Sequence, residues 1–197
     1  RAGGSTWGLS YSGLRLLHWP GIFEEPGRFP QDWAVEKPSK ELARRKRAEM
    51  WAAMERLYEM KLARAIGVSN FTREHLDDIL PSCKVRPMMN QIEVHPYLPR
   101  AELVGYCQDL GIRVTAYSPL AGGKVSVVSD PAIVELVAKK GVTPGRLVLS
   151  WLVQRGIVVI PKSSSPARMA ENLLVSKDLL TPEEMDAVAG LRPGALT

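Results

Sequence analysis

A lysine, a run of serines and an arginine stand together in Pro161-Lys162-Ser163-Ser164-Ser165-Pro166-Ala167-Arg168-Met169-Ala170-Glu171-Asn172. Ile157 to Ile160 just before them is wholly apolar and reads as a strand, and Ser165-Pro166 is a helix start. A strand end, backbone N–H groups at a helix N-terminus, a lysine and an arginine therefore converge. That is the chemistry of an anion site, with phosphate the natural ligand. Capping of a solvated helix start explains the same residues without a ligand, and physics alone leaves the two readings open. Four further pairs follow short apolar runs: His18-Trp19, Ser69-Asn70, Asn90-Gln91 and Tyr117-Ser118. Imidazole, hydroxyl, amide and phenol groups placed in this way suit a single ligand that meets every strand end.

The elements that must carry these groups alternate. Strands are expected over Leu14–Trp19, Ala63–Ser69, Met88–Val94, Arg113–Ser118 and Ile157–Ile160. Residues 20–47 show no periodicity and read as a long loop ending in the basic run Arg44-Arg45-Lys46-Arg47. Met50, Trp51, Met54, Leu57 and Tyr58 then mark one face of a helix over about 48–61. Thr72 caps a helix over about 73–80, and Pro99 opens one that stops at Gly111. Asp130-Pro131, Thr143-Pro144, Ser165-Pro166 and Thr181-Pro182 open four more, the third running to about Val175. Apolar strands separated by helices imply a parallel sheet with helical cover. An open doubly wound sheet and a piece of an eight-unit barrel both satisfy this pattern. In either, the active face lies at the carboxyl ends of the strands.

The chain has 197 residues, 45% of them hydrophobic and 24% charged, an ordinary balance for a globular domain. This excludes a collagen-like or disordered chain, and two cysteines are too few for a disulfide framework. Cys83 and Cys107 read as packing thiols in a reducing compartment. A net charge of +5 favours small anions without amounting to a nucleic-acid arm. No apolar run is long enough to span a membrane. The three histidines and two cysteines have no metal-ligand spacing, so no metal is expected. His75 reads as an inert surface residue, His95 as a structural turn residue, and Trp51 and Trp151 as core-facing. The basic run reads as a solvated helix entry.

Five segments in order carry a resemblance. They are Leu14-Arg15-Leu16-Leu17-His18-Trp19-Pro20, Ala65-Ile66-Gly67-Val68-Ser69-Asn70-Phe71, Asn90-Gln91-Ile92-Glu93-Val94-His95-Pro96-Tyr97, Ala116-Tyr117-Ser118-Pro119-Leu120 and the Pro161–Asn172 run. Together they resemble the aldo-keto reductase superfamily over about residues 5–191. The resemblance implies an α/β fold, a (β/α)8 TIM barrel of which the chain carries about the last five units, as one incomplete domain over 1–197. It implies an NADPH-dependent oxidoreductase that reduces aldehydes and ketones to alcohols in the cytoplasm. Its partner would be a small carbonyl substrate, with no nucleic acid and no membrane.

By the same resemblance His18 is the active-site histidine and Trp19 a wall of the substrate pocket. Ser69, Asn70 and Gln91 would hold the nicotinamide carboxamide, and Tyr117 would stack on the ring. Ser118 and Leu120 would line the pyrophosphate path. Lys162, Ser163 and Arg168 would hold the 2′-phosphate, with Glu171 and Asn172 at the adenosine end. The absence of a Gly-x-Gly-x-x-Gly run agrees with a cofactor site that is not a Rossmann fold.

Of the family's catalytic tetrad only the histidine has a counterpart in these residues; the aspartate, tyrosine and lysine do not. Gly13 stands where the family usually has an aspartate. The chain is therefore expected to be a fragment that folds poorly and lacks carbonyl reductase activity. The alternatives are a non-catalytic NADPH-binding regulatory or interaction protein, or a truncated inactive product.

Overall fold

The computed structural model describes residues 11–21, 39–123 and 127–192. Five strands follow one another in space in chain order: β1 (Ser12–Leu17), β2 (Ala63–Ser69), β3 (Met89–Glu93), β4 (Arg113–Tyr117) and β5 (Val158–Val159). β1 pairs parallel with β2, Leu14 opposite Ala65 and Leu17 opposite Val68, and β4 pairs parallel with β5. A doubly wound sheet reverses its strand order at a switch point. A strictly sequential order is that of successive β/α units in a barrel wall, which decides between the two architectures. The chain divides into two compact units, Arg1–Asn90 with Leu110–Ile112, and Gln91–Asp109 with Arg113–Thr197.

In the first unit the helix after β1 begins much earlier than its apolar face suggests. Helix α1 spans Lys40–Glu59, capped by Ser39, whose hydroxyl accepts from Leu42 N at 3.2 Å. The basic run Arg44–Arg47 therefore lies inside a helix, not at the end of a loop. Apolar periodicity begins only at Met50, and the first turns are charged, so periodicity could not reveal them. The rest of the expected loop, residues 22–38, lies outside the described residues, as do 1–10.

Trp51 is 1% exposed and its indole donates to the Val85 carbonyl at 2.9 Å. Glu55 is buried because Oε1 accepts from the backbone N–H groups of Lys84 and Val85, at 2.6 and 2.8 Å. Gly67 on β2 is required by close approach: a Cβ there would lie 2.6 Å from the Met89 carbonyl oxygen and 2.8 Å from Leu16 Cδ2. Helix α2 (Arg73–Ile79) starts after Thr72, whose backbone N–H donates to His75 Nδ1 at 3.2 Å. His75 is thus a capping residue, in place of the inert surface histidine expected.

The second unit is held by caps that the sequence announces. Helix α4 (Pro131–Lys140) is capped by Asp130, α5 (Pro144–Gln154) by Thr143, α6 (Pro166–Asn172) by Ser165 and α7 (Pro182–Ala189) by Thr181. Each cap side chain accepts a first-turn N–H ahead of a proline at the first helical position. Helix α3 (Ala101–Asp109) starts after Pro99, because Arg100 sits at φ +48, outside helical space. Six successive residues of α5, Leu147–Leu152, are buried. Trp151 donates its indole N–H to Met185 O at 3.1 Å and lies 4.5 Å beneath the Arg155 guanidinium. Glu184 of α7 joins Lys139 and Lys140 of α4 at 2.8 and 2.7 Å.

Several elements are shorter than expected, β3 by one residue at each end and β4 by one at its end. β5 is two residues long, and Val158 within it and Ile160 just after it are each 45% exposed. Helix α6 ends at Asn172 and does not reach Val175, because Leu173 N bonds to Ala170 O and tightens the last turn. Leu173 is 83% exposed, so no burial sustains another turn.

Candidate active site

The candidate side chains stand within or just after the strands, or on helix α6. In the first unit β1 ends at Leu17, which leaves His18 and Trp19 as the next two residues. Both side chains are exposed, their ring centroids 5.8 Å apart at 42°. The backbone beneath them is held firmly. Asn70 Nδ2 donates to the His18 carbonyl at 2.9 Å and to Ser69 Oγ at 3.2 Å. Ser69, the last residue of β2, is buried. Asn70 is at φ +61, a left-handed conformation that asparagine tolerates better than most residues. The structure thus brings His18, Ser69 and Asn70 into one hydrogen-bonded group. Asn90 is a residue whose support the sequence did not reveal: fully buried, it donates Nδ2 to the Phe71 carbonyl at 2.9 Å and so fixes the backbone beside Asn70.

In the second unit Gln91 lies within β3 and is half-buried. His95 occupies the expected turn, with backbone bonds exchanged with Leu98 at 3.3 and 2.8 Å. Burial holds its imidazole below the usual histidine range, although Glu93, 3.7 Å from Nε2, opposes this. Tyr117 is the last residue of β4 and half-buried. Burial first, and the negative charge of Glu93 second, push its phenol upward, so the ring stays neutral. Ser118 and Ala121 follow at φ +46 and +64, with Ala121 N donating to Ser118 O at 2.8 Å. Leu120 between them is half-buried. Asn70 just after β2, and Ser118 and Ala121 just after β4, are left-handed although none is glycine, the kind of stored strain found at functional sites.

After β5, Lys162 is exposed and Ser163 half-buried. Ser163 Oγ accepts from Ser165 N at 3.2 Å, and Ser165 Oγ accepts from Arg168 N at 3.4 Å. The Arg168 side chain is exposed, and Glu171 and Asn172 lie three and four residues further along α6, on its face. Among the described residues neither Lys162 nor Arg168 is paired with a carboxylate. Two unpaired cations next to a capped helix start have the chemistry of an anion site. No group of His, Cys, Asp and Glu that could hold a metal occurs among the described residues, and none of their helices is long and apolar enough to cross a membrane.

The Aldo/keto reductase family model matches residues 4–193. Aldose reductase B of Dictyostelium discoideum is 40% identical over 193 residues, covering 96% of this chain and 62% of that protein. The NAD(P)H-dependent D-xylose reductase of Aspergillus niger is 41% identical over 205 residues, covering 96% and 64%. Among solved structures, a Gox0644 mutant in complex with NADPH superposes with a TM-score of 0.73 at 33% identity, covering 91% of this chain and 58% of that one. The chain therefore spans about three-fifths of the length of the curated relatives it matches, 62–64%. With matching motifs in order, strands in sequential order and the family match across nearly its whole length, this chain belongs to the aldo/keto reductase family.

Proposed function

We propose that the protein is an NADPH-dependent oxidoreductase that reduces aldehydes and ketones to alcohols, and that this chain supplies its cofactor-holding residues and its histidine. Residues 1–197 act as one barrel-type domain in this reading. The carrying observation is positional. His18 follows β1, Ser69 ends β2 with Asn70 after it, Tyr117 ends β4, and Lys162 follows β5 by three residues. Relatives named above for NAD(P)H dependence, and one solved with NADPH, support the choice of cofactor.

The residues fit that group. Ser69, Asn70 and Gln91 offer hydroxyl and amide groups of both polarities for a carboxamide. The neutral Tyr117 ring would stack on the nicotinamide, with Ser118 and Leu120 along the pyrophosphate. The uncommitted cations Lys162 and Arg168, with Ser163, would hold the 2′-phosphate and favour the phosphorylated dinucleotide. Glu171 and Asn172 would meet the adenosine. When bound, a reduced nicotinamide supplies the hydride that a carbonyl carbon accepts. His18 would orient the carbonyl oxygen and stabilise negative charge on it through a ring N–H, with Trp19 as an apolar wall.

Proton supply is what these residues lack. Tyr117 is assigned to stacking, and Tyr97 donates its hydroxyl to Asp130 at 2.8 Å with its pKa pushed up to about 12 by burial and that carboxylate. Both phenols are thus pushed away from the range that an acid near neutral pH needs. The chain alone is therefore proposed to bind NADPH without turning over. Cys83 and Cys107, which form no disulfide, suit the reducing cytoplasm.

The test is NADPH binding by fluorescence titration, followed by NADPH oxidation with a small aldehyde. Saturable binding with no turnover is expected. Turnover near 1 s⁻¹ or faster, an ordinary enzymatic rate, would refute the missing acid, and absence of binding would refute the cofactor role. The second reading, a non-catalytic NADPH-binding partner of another protein, is favoured by the same lack of an acid; inactivity in the protein isolated from its source would select it.

A further inference from the structure

We propose that Arg47 and Asp78 form a bracket that positions the backbone carrying His18 and Trp19, so that both are positioning residues for the candidate active-site histidine. The proposal rests on the reading of His18 given above.

Arg47 lies on α1 and Asp78 on α2, and their side chains are only 12% and 22% exposed. Two of the three guanidinium nitrogens converge on a single carboxylate oxygen: Nε reaches Asp78 Oδ2 at 2.8 Å and Nη2 reaches it at 2.6 Å. The third points elsewhere. Nη1 donates to the carbonyl oxygen of Pro20 at 3.2 Å, across 27 residues of sequence. Pro20 is buried and directly follows the His18-Trp19 pair. On the other side of that pair, Asn70 Nδ2 holds the His18 carbonyl at 2.9 Å. The short segment 18–20 is therefore fixed by a side-chain donor at its first carbonyl and another at its last, while both ring side chains stay exposed.

A clip between α1 and α2 would need only the contacts to Asp78. The bond to Pro20 adds nothing to that clip; it ties the segment leaving β1 to the ion pair. Asp78 fixes the plane of the guanidinium, and the plane fixes where Nη1 points. Arginine suits this because its fork donates in several set directions at once, whereas a lysine ammonium is a point charge on a flexible stem. His75 on α2 also feels this pair: burial lowers its imidazole most and the charge of Arg47 lowers it further, while Asp78 and Glu74 oppose this.

The test compares the full chain with R47K, R47Q and D78N. It uses hydrogen exchange of the peptide covering residues 16–21, NMR signals of the His18 ring and Trp19 indole, and the thermal midpoint. R47K keeps a cation opposite Asp78 and loses the third donor. It is expected to melt within about 3 °C of the parent, yet to exchange roughly tenfold faster at residues 18–21 and to move the His18 and Trp19 signals. R47Q and D78N are expected to show the same local loosening with a larger fall in midpoint. The proposal is overturned if R47K leaves the exchange and the ring signals unchanged, or if every segment of α1, α2 and β1 loosens in proportion to the midpoint, which is what a simple clip would do. These readouts need neither cofactor nor turnover. A parent chain that fails to bind NADPH would refute the proposed function and leave the bracket result intact; an unaffected R47K would do the reverse.

Discussion

The segment leaving β1 and the segment leaving β5 solve opposite problems. Around the first, side chains reach from distant elements to hold backbone carbonyls: Asn70 on His18, Arg47 on Pro20 and Asn90 on Phe71. Around the second, the side-chain bonds are local, Ser163 with Ser165 and Ser165 with Arg168, and none of the α6 residues is buried. An imidazole that must meet a reacting oxygen at a set angle needs a fixed backbone, because small misplacements are costly in catalysis. A phosphate is recognised by charge and by donors that can adapt, so in the proposed role Lys162 and Arg168 can stay exposed until a ligand neutralises them. On the proposed roles, one region is built in advance and the other is completed by its ligand.

The largest effect should come from the core of the first unit, which carries the segment leaving β1. Trp51→Ala empties a site that is 1% exposed, and a loss of about 3–5 kcal/mol in denaturant unfolding is expected; a loss under about 1 kcal/mol would mean that the region is not prebuilt. Next, Asn70→Gly keeps the left-handed backbone and loses only the side-chain bonds, about 1 kcal/mol. Asn70→Ala adds the strain of φ +61 and should cost about 1–2 kcal/mol more. Equal losses for the two would remove backbone strain from the account.

On the ligand-completed side, Arg168→Ala should leave unfolding within about 0.5 kcal/mol of the parent. It should weaken NADPH about ten- to a hundredfold while barely changing NADH. Equal loss for both dinucleotides would move Arg168 away from the 2′-phosphate.

A pH series separates the α4–α7 lock from both regions. Hydrogen bonds from Lys139 and then Lys140 bring Glu184 from 4.5 to about 2. Between those values the unfolded chain binds the proton and the folded chain does not. This contribution is therefore fully present above about pH 4.5 and is lost as the pH falls toward 2. Denaturation at pH 6 and pH 3 should show that slope in the parent and a flatter one in Glu184→Gln. Least of all, Leu173→Ser, at a position 83% exposed, should change stability by under about 0.5 kcal/mol. A larger loss would mean that Leu173 is covered in solution.

The sequence makes the second unit more legible than the first. Asp130-Pro131, Thr143-Pro144, Ser165-Pro166 and Thr181-Pro182 announce their helices because a cap and a proline are local chemistry. The start of α1 was hidden because its first turns carry charge in place of an apolar stripe. Arg47 read as one member of a solvated run because its partner Asp78 is 31 residues away, and no local pattern encodes such a distance. The identities of the candidate site residues were readable from ordered motifs. The left-handed backbone at Asn70, Ser118 and Ala121 was not, since none is glycine and tertiary contacts impose the conformation. His75 misled for a related reason: a histidine at the third helical position rarely serves as the returning half of a capping box.

The central claim is that this chain carries a cofactor site built to prefer a 2′-phosphate. Calorimetric titration of the chain with NADPH and with NADH tests it most directly. The account predicts one site, with NADPH bound at least about tenfold more tightly than NADH. Equal affinity for the two, or no binding of either, would contradict it.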